Sequence, residues 1–318
     1  MRVPVVGFGC SALTGTSRKI ADRLLAAAYD AGVRHFDVAR YYGYGDAEGI
    51  LGSFLRDKRS QVTVTTKFGI QPPARSSALG IGIRMARRFL RALPSARKVV
   101  QRSSPALAKG GSFSARDAQV NLEISLRELR TGHVDFYLLH EYICDDQPAD
   151  ELITFLEGAV RAGKIRSFGI GTGIENILRA LETKPQLCSV LQFQNSALTQ
   201  NILRLPSELP SNRLVITHGA VRQSFDTISA FLNAHREKSQ EWSEKIGADC
   251  SMPGTISSLL LNYAVEANPR GLILFSSTNA ETVCRNVRAV LEPEYSHTQV
   301  AAFSQLVQRD FNTPLQMS

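Results

Sequence analysis

The chain has 318 residues, of which 43% are hydrophobic, and its formal net charge is +8 at pH 7. This length and composition allow a sizeable buried core, in one domain or two. No apolar run reaches the roughly 20 residues that a membrane-spanning helix needs. Residues 1–9 lead directly into a strand-like run and predict no secretory signal.

Five cysteines are scattered along the chain, and none of them lies in CxxC spacing. An odd number without such spacing argues against a disulfide framework and against a zinc site. Cysteines used in this way are typical of a reducing compartment. We therefore expect a cytoplasmic location.

Strand-like runs alternate with helical patterns along most of the sequence. Strands are predicted at residues 4–9, 34–38, 62–66, 134–139, 165–170, 190–194, 214–217 and 271–275. Helices are predicted at 17–31, 47–55, 114–129, 150–162, 174–181, 221–234 and 254–267, and a further one after the last strand.

Helix boundaries carry recognisable signals. Ser17 and Ser114 are suited to N-cap two of the helices, and Gly32 and Gly163 to end two of them. In the helix at 114–129, the apolar positions 120, 124, 126 and 129 predict one face directed toward the core.

Strands that alternate with helices predict parallel pairing with right-handed crossovers. Eight such units over this length favour an α/β fold, a closed (β/α)₈ TIM barrel formed by a single domain over residues 1–318. A doubly wound open sheet is the alternative. It would usually show an early GxGxxG turn, which the GFGCSA after the first strand does not fit.

Catalytic residues of such barrels gather at the carboxyl ends of the strands. The second strand ends at Asp37 with Tyr42 in the following loop, the third at Lys67 and the fourth at His140. A phenol with a pKa near 10 becomes a better acid–base catalyst beside an ammonium, which a carboxylate can hold in place. An imidazole opposite the phenol can orient a carbonyl oxygen.

Each of these residues also has a structural interpretation. Lys67 could be a solvated loop lysine, His140 a hydrogen-bonded and half-buried histidine, and Asp37 the cap of a turn. Their joint occurrence at consecutive strand ends favours the catalytic interpretation.

The sequence resembles the aldo-keto reductase family. The resemblance is carried by FDVARYYG, TTKFG and LLHE, with support from GKIRSFGIG, LQFQN and SSTNAETVCRN, and it covers nearly the whole chain. It implies a (β/α)₈ barrel and hydride transfer from a nicotinamide cofactor bound without a Rossmann fold. It also implies that Tyr42 is the acid–base tyrosine of a tetrad completed by Asp37, Lys67 and His140.

The resemblance further implies cofactor-binding residues. Gln192 stands where the family hydrogen-bonds the nicotinamide carboxamide. Thr172 lies where the family commonly has Ser-Asn, and His218 and Gly219 replace the usual aromatic or Ser-Pro stretch.

After the eighth strand, hydroxyl and amide side chains enter a helix whose N-terminus suits a phosphate. Ordinary N-capping is the alternative interpretation. In the family this segment holds the adenosine 2′-phosphate, and here Ser276 and Thr282 occupy the positions where cations often stand. NADP(H) is the expected cofactor, with NAD(H) as the alternative. The residues are Ser276, Ser277, Thr278, Asn279, Thr282 and Asn286.

A basic insertion at about residues 71–112 follows the third strand. Residues 71–110 contain nine Lys and Arg and no Asp or Glu, and so account for the positive net charge of the chain. We favour a lid over the barrel mouth that selects the substrate. The alternatives are attraction to an acidic partner, an anionic substrate or a membrane surface. No nucleic-acid partner is expected, because no aromatic platform accompanies the arginines.

These observations predict an NAD(P)H-dependent oxidoreductase acting on a small-molecule carbonyl or alcohol. Two alternatives come from other classes. One is a cofactor-sensing regulatory subunit with a reductase-like barrel, which would dock through the basic insertion. The other is a barrel lyase or isomerase that uses no nicotinamide.

Overall fold

The computed structural model describes residues 5–70, 112–144 and 150–311. The prediction for the basic insertion therefore falls almost entirely outside the described residues. Within them, no helix is long and apolar enough to cross a membrane.

Eight parallel strands close into a barrel in which each strand pairs with the next along the chain, and the last pairs with the first. This confirms the predicted (β/α)₈ barrel over the open sheet, since Val6, Gly7 and Phe8 are in register with Ile273, Leu274 and Phe275. The strands are β1 (Val6–Gly9), β2 (His35–Asp37), β3 (Thr63–Phe68), β4 (Val134–His140), β5 (Ile165–Gly171), β6 (Val190–Gln194), β7 (Leu214–His218) and β8 (Leu272–Phe275).

Ten α-helices lie among the described residues, and the predicted ones are all present. The sequence did not predict two further helices, the seventh and the tenth. These two share one apolar cluster beside the barrel and are additions to the βα repeat. The helices are α1 (Arg18–Asp30), α2 (Asp46–Phe54), α3 (Ala115–Leu129), α4 (Asp150–Arg161), α5 (Ile174–Thr183), α6 (Arg222–Ala234), α7 (Arg236–Ile246), α8 (Pro253–Ala267), α9 (Ala280–Leu291) and α10 (His297–Phe311).

The predicted helix boundaries are confirmed. The hydroxyls of Ser17 and Ser114 accept from the backbone N–H groups of Ile20 and Asp117, as N-caps do. Gly32 follows α1 with a φ of 109°, and Gly163 follows α4 with a φ of 70°. Such positive φ values are readily adopted by glycine.

The predicted core face of α3 is confirmed in part. Leu129 is buried and Leu126 packs against the core, as predicted, whereas Val120 is 48% exposed. Ala118, Leu122 and the polar Ser125 are buried and were not predicted. The face of α3 that packs against helix α2 and strand β3 thus includes small and polar side chains, which a count of large apolar residues does not register.

Below its carboxyl end the barrel interior is filled by apolar side chains and by the buried His35, whose ring nitrogens pair with the hydroxyls of Thr63 and Thr65. Because side chains alternate along a strand, every second residue faces the interior. An apolar cluster forms there from Phe136, Leu138, Val190, Ile216, Leu272 and Leu274. The same alternation directs Asp37, Lys67 and His140 inward, toward the carboxyl ends of their strands.

A buried carboxylate stabilises the opposite, amino-terminal end of the barrel. Asp135 on β4 is fully buried and accepts from Arg59 at 2.9 Å and from the backbone N–H of Val64 at 2.8 Å. Arg166 lies 3.1 Å from its other oxygen. These contacts join strands β3, β4 and β5 to the loop before β3.

We predict that Asp135→Ala lowers the free energy of unfolding by about 3–5 kcal/mol, because it leaves the largely buried Arg59 guanidinium without its counter-charge. Urea denaturation followed by circular dichroism measures this. Glu157→Gln is the matched control, since its contact with Arg161 is 3.8 Å long and solvent-exposed, and we expect a change below about 0.5 kcal/mol. Equal effects of the two variants would contradict the assignment.

Candidate active site

A buried ion pair lies at the carboxyl end of the barrel. The ammonium of Lys67 donates to Asp37 Oδ1 at 2.6 Å and to the carbonyl oxygen of Val38 at 3.3 Å. Lys67 is 3% exposed and Asp37 is 2% exposed. Neighbouring strands β2 and β3 hold the two charges together, as their positions in the sequence predicted.

Gln192 reaches this pair from the opposite wall of the barrel. It lies on β6, and its Nε2 donates to Asp37 Oδ2 at 3.0 Å. Gln192 is only 4% exposed. Its Oε1 is buried and has no hydrogen-bond partner among the described residues. A buried acceptor of this kind is suited to a donor on a bound molecule.

Tyr42 begins a short 3₁₀ turn, Tyr42–Gly45, between β2 and α2. The Lys67 ammonium lies 5.2 Å from the centroid of the Tyr42 ring. The ring also makes an edge-to-face contact with His140, at a centroid separation of 5.7 Å. Gly43 has a φ of 61°, and a Cβ there would lie 2.0 Å from Thr14. The loop can therefore pack against the segment after β1 only with glycine next to Tyr42.

The electrostatics of Tyr42 differ from the expectation. Burial raises the pKa of Tyr42, and the Lys67 ammonium, which acts in the opposite direction, does not fully offset it. Burial also tends to lower the pKa of Lys67, but Asp37 and Tyr42 outweigh it, so that pKa is raised. The site thus holds a neutral phenol beside a charged ammonium at neutral pH.

His140 is neutral at neutral pH. Burial lowers its pKa to about 3, and the charges of Lys67 and His218 act in the same direction. Its Nδ1 is buried without a hydrogen-bond partner in the part of the chain that the structure describes. A neutral imidazole facing the phenol can donate one hydrogen bond and accept another.

The residues predicted to hold the nicotinamide lie on strands β5 to β7, beside the ion pair. Thr172 is 6% exposed, and its backbone N–H donates to the carbonyl oxygen of Gln192 at 3.0 Å. His218 ends β7 with an exposed ring. Gly219 follows it with a φ of 79°, where a Cβ would lie 2.9 Å from Gln194.

The segment after β8 forms the N-terminus of α9. Asn279 caps this helix by accepting from the Thr282 N–H at 3.0 Å, and Ser277 accepts from the Asn279 N–H at 3.1 Å. Ser276 and Thr278 are exposed, whereas Asn286 is buried. The Arg285 guanidinium lies 3.4 Å from the Thr282 hydroxyl. Capping therefore uses Asn279 and leaves the exposed hydroxyls of Ser276 and Thr278 facing solvent.

Several polar residues near the site were missed by sequence reasoning. Arg40 and Glu48 form a buried ion pair beside the Tyr42 loop. Cys10 is buried close to the ion pair, and burial raises the pKa of its thiol well above the usual range, so it stays protonated. Glu141 follows His140 with a φ of 54°. Arg40 could have been noticed in the sequence, because it lies within FDVARYYG, between a strand and a glycine turn. An arginine at such a position lies close to buried backbone.

The fold and the site define an α/β-barrel protein with a polar site at the carboxyl end of the barrel, formed by Lys67, Asp37, Tyr42 and His140. Residues 5–308 match the sequence model of the Aldo/keto reductase family. The chain belongs to this family of oxidoreductases.

Known proteins are similar over large parts of the chain. The chain is 30% identical over 216 residues to pyridoxal 4-dehydrogenase of Microbacterium luteolum. The aligned region covers 63% of this chain and 61% of that protein. Matches to two other relatives cover 43% and 45% of their lengths. The chain therefore spans less than two thirds of the length of these relatives.

Solved structures share the fold. An aldo-keto reductase from Bacillus halodurans in its holo form is 20% identical, with a TM-score of 0.69 over 96% of this chain and 92% of that one. An aldo-keto reductase from Klebsiella pneumoniae in complex with NADPH is 21% identical, with a TM-score of 0.62 over 99% and 94%.

We predict that acidification destabilises the protein through His140. The folded-state pKa lies below the value of about 6.5 in the unfolded chain. The unfolded state therefore binds a proton that the folded state does not, and stability falls as pH drops from about 6.5 toward 3. Each proton contributes about 1.4 kcal/mol per pH unit.

Urea denaturation at a series of pH values from 7 down to about 4 measures this slope. In His140→Asn the free energy of unfolding should fall less steeply with decreasing pH, by the equivalent of up to one proton taken up on unfolding, because the amide does not titrate. His35, whose pKa burial lowers to about 4, continues to contribute in that variant. An unchanged slope would show that His140 takes up its proton equally readily in the folded and unfolded states.

Proposed function

We propose that the protein is an NAD(P)H-dependent oxidoreductase that interconverts a carbonyl group and an alcohol, with Tyr42 as general acid and base. The observation that carries this proposal is the buried Lys67–Asp37 pair, 2.6 Å across, beside the phenol of Tyr42. A paired ammonium in a low-dielectric site acts strongly on a neighbouring phenol.

Tyr42 is the proton donor in the reductive direction. The phenol is protonated at neutral pH, which is the form that a carbonyl oxygen needs as negative charge develops on it. As the proton leaves, Lys67 stabilises the phenolate, and Asp37 keeps Lys67 in place and charged. In the oxidative direction the same groups accept the proton from an alcohol.

His140 orients the substrate. Its ring stands edge-on to Tyr42, at a centroid separation of 5.7 Å. A carbonyl oxygen placed between the two side chains would meet one donor from each. Because the imidazole is neutral, it contributes a hydrogen bond without repelling the Lys67 charge.

The residues at the carboxyl ends of β5 to β7 fit the nicotinamide group. When bound, this group supplies or accepts the hydride at the substrate carbon. The buried Oε1 of Gln192 has the chemistry to accept from the carboxamide, since its own amide nitrogen is already used on Asp37. Thr172 provides a second polar contact in place of the Ser-Asn of the family. His218 and Gly219 lie at the same rim.

The N-terminus of α9 fits the phosphate end of the cofactor. Exposed hydroxyls and free backbone N–H groups at this end favour an anion, and Ser276, Ser277, Thr278, Asn279, Thr282 and Asn286 are the candidate contacts. Arg285 adds a cation beside Thr282. We propose NADP(H) as the cofactor, in line with the NADPH complex of the Klebsiella pneumoniae protein.

The substrate that we propose is a small-molecule aldehyde, ketone or sugar, or the corresponding alcohol. The relative from Microbacterium luteolum is named a pyridoxal 4-dehydrogenase. A hydroxylated or carbonyl-bearing small molecule is consistent with the hydrogen-bonding side chains of Tyr42 and His140.

We predict that Tyr42→Phe lowers the rate of carbonyl reduction by a factor of about 10² to 10⁴, because the proton donor is lost. The affinity for NADPH should stay nearly unchanged, since the cofactor contacts lie elsewhere. Steady-state kinetics with a panel of aldehydes and ketones, together with calorimetric titration of NADPH, measure both quantities. Tyr41→Phe is the matched control, because it removes the neighbouring phenol only. Substantial activity of Tyr42→Phe would refute the mechanism.

We predict that Arg285→Ala weakens NADPH binding about tenfold and NADH binding much less, because an exposed cation acts on the additional phosphate with roughly 1–1.5 kcal/mol. Quenching of Trp fluorescence and calorimetry with each cofactor measure the two affinities. Arg288→Ala, three residues further along the same helix, is the control. Equal weakening for both cofactors would place Arg285 outside the 2′-phosphate site.

A further inference from the structure

A buried polar cluster lies directly behind the Tyr42 loop, on the side of β3 that faces away from the barrel interior. Glu48, in the first turn of α2, is 0% exposed. Its Oε2 accepts from Arg40 Nη1 at 2.9 Å, and its Oε1 accepts from the Thr66 hydroxyl at 2.7 Å. Both oxygens of this carboxylate are therefore satisfied by two different segments of the chain.

The cluster connects the segments that carry the site. Thr66 precedes Lys67 on β3, and Arg40 precedes Tyr42 by two residues in the loop. The backbone N–H of Arg40 also donates to the carbonyl oxygen of Lys67 at 3.3 Å. Glu48 thus joins α2, which follows the Tyr42 loop, to Arg40 at the beginning of that loop. It also joins α2 to β3, the strand that carries Lys67.

The energetics indicate a role other than plain stability. Removing two charges from water costs several kcal/mol per ion, and a buried ion pair often contributes no more than apolar side chains of similar volume. In some proteins a buried polar pair instead specifies one geometry. The geometry that this pair specifies is that of the nine-residue segment 40–48, in which Tyr42 is the third residue.

We propose that Arg40, Glu48 and Thr66 are positioning residues, which hold the phenol of Tyr42 at its working distance from the Lys67 ammonium and the His140 ring. None of the three side chains faces the barrel interior, so they act through Tyr42 and do not touch a substrate. A displacement of about 1 Å at a reacting group can lower a rate about a hundredfold.

The kinetic consequence of this inference rests on the proposed function, but the structural one does not. We therefore pair a rate with a direct observation of the ring. In protein labelled with 3-fluorotyrosine, each of the eight tyrosines gives one ¹⁹F resonance. The resonance of Tyr42 is the one that disappears in Tyr42→Phe.

Thr66→Val is the main test, because it removes only the hydroxyl that joins Glu48 to β3 and retains the shape of the side chain. We expect the Tyr42 resonance to shift or broaden at neutral pH. We expect kcat to fall about tenfold to a hundredfold, with the NADPH dissociation constant unchanged. Thr66→Ser restores the hydroxyl and should restore both readouts. Glu48→Gln, which keeps hydrogen bonds and removes the charge, is the second variant.

The pH dependence of kcat provides a further readout that a structural role would not move. The charged and titratable groups that face Tyr42 are Lys67, Asp37, Cys10 and His140. If the phenol moves away from Lys67, the ammonium lowers its pKa less, so the profile of the oxidative reaction should shift to higher pH in Thr66→Val.

Arg59→Lys, in the ion pair at the opposite end of the barrel, is the control for a general loss of stability. It should lower the denaturation midpoint and leave the Tyr42 resonance and kcat in place. If Thr66→Val lowers stability by the same amount without moving the resonance, the cluster is structural only and the inference is wrong. If the wild-type protein reduces no carbonyl but its Tyr42 resonance moves in Thr66→Val, the positioning role stands and the proposed function fails.

Discussion

The site depends on one interaction, the buried ion pair between Lys67 and Asp37. Neither charge would be stable alone at 2–3% exposure, because the desolvation of an isolated ion costs several kcal/mol. Paired at 2.6 Å, the ammonium and the carboxylate compensate one another in an interior that is mainly apolar. The remaining acceptor of Asp37 is satisfied by Gln192 from across the barrel. Strands on opposite walls are thereby joined to the same charge.

This arrangement divides each strand into layers of different chemistry. Below the pair, the apolar Phe136, Val190 and Leu272 share the interior with His35, which pairs with the hydroxyls of Thr63 and Thr65. Above it, Tyr42 and His140 complete the polar rim. Burial has opposite effects on the two groups, since it keeps the phenol protonated and the imidazole uncharged. Both are hydrogen-bond donors in those states, which suits the proposed reduction of a carbonyl group.

The loop with Tyr42 is the part of the site that a strand does not hold. Its position is set from three directions: Gly43 packs against Thr14, the backbone of Arg40 bonds to that of Lys67, and Glu48 anchors α2. Strand β3 therefore holds Lys67, whereas the conformation of the Tyr42 loop depends on buried contacts. In the proposed cofactor region the same division holds, because Gln192 and Thr172 belong to the barrel, whereas Ser276 and Thr278 stand exposed at a helix N-terminus.

The sequence by itself determined the barrel and the identity of its rim residues. Local periodicity and turn signals define strands and helices. Once a strand has been located in the sequence, the residues at its carboxyl end are known as well. It could not determine the whole core face of α3, the layer formed by α7 and α10, or the Arg40–Glu48–Thr66 cluster. Those depend on contacts between segments distant in the chain. It also misjudged Tyr42, whose pKa is governed by burial as well as by Lys67. Desolvation is a property of the packed protein, so only the tertiary structure decided it.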